Sequence, residues 1–372
     1  MSKDNFKINV VHDFFNIKGG GERLVLMIAD IYNSKIFTSF KSNLFNEEKN
    51  LYLPKFNLFT FNKKIFAFIY FLFIFKKNLK EEYFFFSGNY SLFSAKRVLA
   101  KKKILYIHSL PRTFFWFEYT KINNEYLVYF SKFLIKIVVF FYQRAFNRFD
   151  LILFNSEFTK SKLFKYYVFD NLRHGILYPF YDETIFNIKS TKNKNFALFN
   201  SRHELNKRIL EVIIFYKKHN HINLKITNNG TLTKKICKLI EKSDNIEMLS
   251  VLNNEDYVNY LKQCSYVIMI PKNEDFGMAA IEALACGKPV IASREGGLLE
   301  IFGNKYKLYT STPNIENDNF EFEIEMRSLI QDIENKLNSN KTNESYYQSF
   351  ASSFSTRCFK INFSNILNEI SN

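Results

Sequence analysis

Pro271-Lys272-Asn273-Glu274-Asp275-Phe276-Gly277-Met278-Ala279-Ala280-Ile281-Glu282-Ala283-Leu284-Ala285-Cys286-Gly287-Lys288-Pro289-Val290-Ile291-Ala292 follows a short apolar run, Tyr266 to Ile270. The order reads as strand, polar loop with a glycine, Ala/Leu-rich helix, glycine stop, strand. A helix connecting two buried strands is the repeating unit of a parallel α/β sheet, and Cys286-Gly287 is a usual helix end. Two glutamates lie eight residues apart, Glu274 in the loop and Glu282 on the helix. A carboxylate on an apolar helix must find a hydrogen-bonding partner, and a ribose diol would satisfy Glu282. The amides around Gly277 and Met278 open the helix, where phosphate oxygens are favoured.

Working outward, the same alternation continues in both directions. Strands are expected at 195–200, 224–227 and 246–249, with helices at 207–218, 232–241 and 255–263. An earlier series has strands at 6–12, 83–87, 104–108 and 150–155. Its first strand is followed by a glycine turn, Gly19-Gly20-Gly21, and a helix over 22–32. Ser156 is positioned to cap another helix. The polar stretch 182–195 has the composition of a linker. The expected architecture is therefore two βα domains, 1–188 and 189–345, with the cleft between them as the default ligand site.

Arg202 and Lys207 follow the first strand of the second series, and two cations at a strand end suit a diphosphate. Gly20 and Gly21 let backbone amides approach a phosphate or sugar closely. That turn lacks both the G-x-G-x-x-G and the G-K-[ST] spacings. His108 ends a strand. Lys101-Lys102-Lys103 reads as a solvated turn.

Composition narrows the class. Hydrophobic residues are 47% of 372, with 44 Phe and 22 Tyr, which describes a folded chain with an A/T-rich codon bias. Residues 1–190 hold 29 Lys+Arg against 15 Asp+Glu, whereas 191–372 hold 23 against 21. The basic half fits an anionic partner, or plain solubility charge. The four cysteines form no C-x-x-C pair, so reduced thiols are expected. His219-x-His221 lacks further metal ligands. The opening residues do not read as a secretory signal. Ile65 to Phe75 is bracketed by Lys63, Lys64, Lys76 and Lys77 and is about half the length needed to span a bilayer, so it is a buried or an interfacial helix.

The segment 274–282 resembles the Glu-x7-Glu signature of glycosyltransferase family 4, whose members have the GT-B fold. The resemblance extends to G-G-G-E at 19–22, Y-I-H-S-L-P-R at 106–112, F-N-S-E-F-T at 154–159, L-Y-P-F-Y-D at 177–182, S-R-H-E-L-N-K-R at 201–208 and A-S-S-F-S-T-R-C-F at 351–359. This set is most similar to a bacterial O-antigen mannosyltransferase-like branch. It implies two facing Rossmann-like domains, with 346–372 returning to the first. It also implies a retaining transfer of a hexose, mannose favoured, from a donor such as GDP-mannose, without a metal ion. The absence of a D-x-D sequence agrees. Arg202 and Lys207 would hold the diphosphate and Glu282 the ribose. Glu274 would meet the sugar hydroxyls, His108 would lie near the reacting centre, and Gly20 and Gly21 would approach from the first domain. Arg112 matches a family arginine without an assigned role. Two departures stand out. Asn228-Asn229-Gly230 replaces a G-x-G, and Leu110-Pro111 inverts the expected order.

The implied acceptor is a lipid-linked saccharide or surface polysaccharide, reached by a cytoplasmic protein resting peripherally on the inner membrane face. Two other readings stay open: a carbohydrate- or nucleotide-binding module with a degenerate site, and a nucleic-acid-binding protein. The second gives Glu274 and Glu282 no role.

Overall fold

The computed structural model describes residues 6–16, 19–54, 62–110, 125–186, 194–303, 320–338 and 344–371. The chain divides into two compact units, Met1–Pro179 with Phe359–Asn372, and Phe180–Cys358.

In the first unit the described elements run β1 (Ile8–His12), α1 (Gly20–Tyr32), β2 (Ile36–Thr38), β3 (Leu51–Tyr52) and α2 (Lys63–Ile69), which a π-turn (Tyr70–Ile74) extends. Then come β4 (Lys77–Ser87), a 3-10 helix (Ser91–Arg97), β5 (Val98–Ile107), α3 (Glu125–Phe146), β6 (Leu151–Phe154), α4 (Glu157–Phe164) and β7 (His174–Ile176). Seven strands form one sheet in the order β3-β2-β1-β4-β5-β6-β7, every pairing parallel. The central strands are apolar on both faces because helices cover both. On one face Val11, Phe84, Phe86, Leu105, Ile107, Ile152 and Phe154 share a core with α2, the 3-10 helix and α3. Ser156 caps α4 as expected, accepting from the Thr159 amide at 2.9 Å.

The second unit runs α5 (Glu183–Phe186), β8 (Phe196–Asn200), α6 (Ile209–Lys218), β9 (Asn223–Thr227), α7 (Thr233–Ile240), β10 (Ile246–Met248) and α8 (Asn254–Gln263). It continues with β11 (Tyr266–Met269), α9 (Met278–Ala285), β12 (Val290–Ala292), α10 (Leu298–Phe302), α11 (Phe320–Asn338) and α12 (Glu344–Ala351). Its five-stranded parallel sheet has the order β10-β9-β8-β11-β12. Helix α9 stops where glycine permits it. Gly287 is left-handed (φ +71°), and the Lys288 amide reaches back to the Ala283 carbonyl at 3.0 Å. The last helix, α13 (Thr356–Ser371), begins in the second unit. Its remainder packs in the first, where Phe363 meets Tyr32 and Phe85 edge-on with centroids 5.6 Å apart.

Three expectations shift. The units divide at Pro179/Phe180 and at Cys358/Phe359 rather than at 188 and 346. The Tyr181 amide donates to the Phe354 carbonyl at 3.0 Å and Thr356 Oγ1 to the Tyr181 carbonyl at 3.0 Å, which fastens both segments within the second unit. Helix α12 stays there too, with Gln348 Nε2 on the Ala285 carbonyl. The supposed linker 182–195 begins with α5, whose Phe186 carbonyl accepts from Cys286 Sγ; 187–193 lie outside the described residues. Lys101–Lys103 are not a turn but the middle of β5, with Lys102 opposite Tyr83 and the Lys103 amide on Asp150 Oδ2 at 2.7 Å. Strands β2, β3 and β7 are additions at the sheet edges, too short to mark themselves in sequence.

Candidate functional site

In the second unit, three loops leave the C-terminal ends of β8, β11 and β12. The first carries Arg202 and Lys207. Arg202 is exposed, whereas Lys207 is 8% exposed and its Nζ lies 2.5 Å from Glu274 Oε2. Two residues assigned to different partners by resemblance are thus an ion pair. Next to Lys207, Arg208 adopts φ +54° and is 5% exposed. Its Nη1 donates to the Ile270 carbonyl at 3.3 Å and to Glu295 Oε1 at 2.6 Å. The Lys272 amide also donates to the Asn206 carbonyl at 2.7 Å, joining the first loop to the second.

The third loop fixes the backbone of Glu274 from behind. The Gly297 amide donates to the Glu274 carbonyl at 2.8 Å. A Cβ on Gly296 would lie 2.4 Å from that carbonyl oxygen, and one on Gly297 2.3 Å from the Asp275 oxygen. Only glycine fits such an approach. Gly277 sits at φ +116° and starts α9; a Cβ there would meet Leu298 at 2.5 Å. Met278, the first helical residue, is partly exposed. Glu282, one turn on, is 1% exposed within an otherwise apolar helix. Phe276 packs on Phe354 with centroids 5.3 Å apart, linking this motif to the 351–359 segment.

The Asn228-Asn229-Gly230 turn keeps the glycine that geometry demands. A Cβ at Gly230 would come within 2.6 Å of the His203 carbonyl oxygen. Asn228 takes a left-handed conformation (φ +83°) that asparagine tolerates, and its amide bonds Asn200 Oδ1 at 2.5 Å.

In the first unit, Gly20 and Gly21 form the first turn of α1, after Gly19 at the cap. A Cβ on Gly21 would lie 3.8 Å from the His108 ring, so these two predicted residues are neighbours. His108 Nε2 pairs with Ser87 Oγ at 2.5 Å, and its ring meets Tyr106 edge-on. Asn155 Nδ2 holds the His108 carbonyl at 2.8 Å. Burial, aided by neighbouring His12, lowers the His108 pKa to about 3; burial lowers His12 to about 4 against its bond to the Ser87 carbonyl. Both rings are therefore neutral at pH 7. Asp13 accepts from the amides of Asn89, Tyr90 and Ser91 at 2.6–2.9 Å. Burial still outweighs those bonds and raises its pKa to about 6. Arg112 and Pro111 lie outside the described residues, while Leu110 is fully buried in the core.

Sequence reading missed Arg208, Glu295, Gly296, Gly297, His12, Asp13 and Ser87. Arg294-Glu295-Gly296-Gly297 after a strand, and His12-Asp13 at a strand end, were the available signals. Arg208 closes the S-R-H-E-L-N-K-R stretch, but nothing there indicated its partner, Glu295, which is remote in sequence.

Residues 181–343 match the family of glycosyl transferases group 1. An uncharacterized glycosyltransferase of Methanocaldococcus jannaschii is 30% identical over 183 residues, 48% of this chain and 50% of that protein. The human alpha-1,3/1,6-mannosyltransferase ALG2 is 27% identical over 183 residues, 41% of this chain and 44% of that protein. The chain thus spans about half the length of these curated relatives. Among solved structures, Anabaena Alr3699/HepE in complex with UDP-glucose superposes with a TM-score of 0.68 at 15% identity, covering 98% of this chain and 99% of that one. The chain has the two Rossmann-like parallel-sheet domains of the GT-B fold, and its residues 181–343 are similar to the glycosyl transferases of group 1.

Proposed function

We propose that the chain is a retaining glycosyltransferase of family 4, moving a hexose from a nucleotide-diphosphate sugar to a lipid-linked or surface-polysaccharide acceptor. The observation that carries this reading is the Lys207–Glu274 pair, buttressed by Gly296 and Gly297 beside the N-terminus of α9. Arg202, Lys207 and the amides of Gly277 and Met278 meet the charge that builds on the departing diphosphate, which is the role a metal ion would otherwise take. Glu282 binds the ribose and Glu274 the sugar hydroxyls. Neutral His108, with Gly20 and Gly21, serves the sugar. Mannose is favoured by the sequence resemblance and by the name of the human relative, whereas the Anabaena structure holds UDP-glucose. The acceptor reading rests on the basic first half and places the protein peripherally on the inner face of the cytoplasmic membrane.

The test is a melting-temperature panel with GDP-mannose, UDP-glucose and UDP-N-acetylglucosamine, then transfer assays with the best donor. A ligand at about 100 times its Kd stabilises by about 2.7 kcal/mol. Glu282→Ala and Arg202→Ala should each remove most transfer while melting cooperatively. Full activity in both variants would overturn the assignment.

A further inference from the structure

We infer that the outer face of α2 and its π-turn is a docking surface for an anionic phospholipid membrane. The inference deepens the membrane part of the proposed function and stands apart from its sugar-transfer part. From Ile65 to Phe75 the chain is apolar on both sides. Phe66, Ala67, Tyr70, Phe71 and Phe75 are buried in the first unit's core. On the other side Ile65 (51%), Ile69 (42%) and Phe73 (68%) stand exposed, with Phe68 and Ile74 beside them. A surface helix normally turns charged side chains outward along its length; this one does so only at its first two residues, Lys63 and Lys64.

The exposed face is not a frayed end. Asn62 caps the helix start, accepting from the Lys64 amide at 3.0 Å. The Phe75 amide closes the π-turn on the Tyr70 carbonyl at 2.8 Å, and the Arg97 guanidinium donates to the Phe71 and Phe75 carbonyls at 2.7 and 3.2 Å. Beneath the face, aromatic contacts run inward from Phe68 to Phe93 at 5.4 Å and from Phe93 to the buried Tyr142 at 5.1 Å. Tyr142 belongs to α3, which on its outer side exposes Ile137, Phe140 and Phe141 at helical spacing.

Charge selects the partner. Residues 49–80 contain seven lysines and no Asp or Glu. Lys64 and Lys76 are exposed at either end of the apolar face, and Lys96 is exposed on the neighbouring 3-10 helix. An apolar centre ringed by lysines matches a bilayer interface: aromatic and aliphatic side chains enter the acyl boundary and ammonium groups reach lipid phosphates. No described helix is long and apolar enough to cross a membrane, so the element lies in the interface plane.

The experiment is co-sedimentation of the full chain with vesicles of phosphatidylcholine alone and of phosphatidylcholine with roughly 30 mol% phosphatidylglycerol, whose negative surface potential attracts basic segments. The wild type should partition at least about tenfold better into anionic vesicles, and less so as salt rises. Ile69→Ser with Phe73→Ser should lower that partition at least about tenfold at an unchanged melting temperature. Phe73→Trp should shift its emission to the blue on anionic vesicles, after subtraction of the wild type's single tryptophan, Trp116. Equal wild-type binding to both vesicles, or undiminished binding by the double variant, overturns the inference. So does a double variant that keeps its vesicle binding but loses self-association by light scattering, which would make the face a protein–protein contact. Nucleotide binding by the same preparations reports on the transfer reading separately.

Discussion

Replacing Glu274 by Gln should move nucleotide affinity and turnover in opposite directions. In the structure Lys207 is already engaged, with Nζ 2.5 Å from Glu274 Oε2 and the two side chains only 10% and 16% exposed. An arriving diphosphate must share that ammonium with the carboxylate. Two anions around one ammonium sit about 5–6 Å apart, and at an effective dielectric near 20 their repulsion is roughly 3 kcal/mol before salt screening. Removing the carboxylate's charge while keeping its shape should therefore tighten UDP or GDP binding by about 1–2 kcal/mol, or roughly 5- to 30-fold. The unliganded variant should lose about 1–3 kcal/mol of stability, because Lys207 is left without its partner in a mostly desolvated position. Turnover should fall by about 10²–10³ if, as proposed, Glu274 accepts the sugar hydroxyls' hydrogen bonds, because that acceptor loses its charge. Isothermal titration with UDP and GDP, together with donor turnover, reads both effects. Lys207→Met supplies the control and should weaken nucleotide binding. If Glu274→Gln binds nucleotide more weakly than the wild type, or transfers sugar normally, the ion pair is not a competitor for the diphosphate and the reasoning fails.

Gly296→Ala must separate its Cβ from a carbonyl oxygen now 2.4 Å away, displacing Glu274 by nearly an ångström, so transfer should drop about 10²-fold. Gly303→Ala is the control, since it shares a positive φ (+57°) but has no atom of the described residues within 4 Å; it should lose stability while keeping its activity. The first unit should also lose stability in acid. His12 and His108 have depressed pKa values (about 4 and 3), so their contribution is intact above 6.5 and is lost as pH falls from there through the folded values. Asp13, raised to about 6, acts in the opposite sense: its contribution is full below its unfolded value and is lost as pH rises through 6. At pH 5 two histidines against one aspartate leave a net loss of about 2–3 kcal/mol relative to pH 7. Urea midpoints at the two pH values measure it, and His108→Asn should reduce the difference by more than half; an unchanged difference would contradict the assignment.

Local order was legible and remote pairing was not. The loop at Glu274, the helix over Met278–Ala285 and its stop at Gly287 follow from glycine placement and apolar spacing, which act within a few residues. Lys101–Lys103 misled because a run of lysines looks solvated; its strand state comes from pairing with β4, to which Tyr83 and Leu79 contribute across a register irregularity. The boundary at Pro179 depends on Tyr181 meeting Phe354 and Ser355, segments that no local pattern connects. In the candidate site, Arg202, Lys207, Glu274 and Glu282 were singled out by type and position. That Lys207 and Glu274 are partners, and that Arg208 reaches Glu295, needed three dimensions. Each side chain is long enough to reach several neighbours, and spacing alone does not choose among them.

The reading of a binding module with a decayed site rested on two departures, and the fold gives each a local packing reason. Where a glycine is required by contact, at the turn facing His203, Gly230 is present; the neighbouring positions are asparagines whose conformations need no relaxation of the loop. Leu110, at the inverted pair, fills the first unit's core beside Leu105 and Ile107 and so anchors the strand end that carries His108. A further argument comes from cost. An apolar pair would hold the first and second loops together as well as Lys207–Glu274 does, often with better stability. Two glycines with no room for a Cβ then press a third loop onto the backbone of that same glutamate. Packing alone calls for neither feature. Together they describe a carboxylate and an ammonium held at fixed positions beside a helix N-terminus, an arrangement suited to exchanging one anionic partner for another.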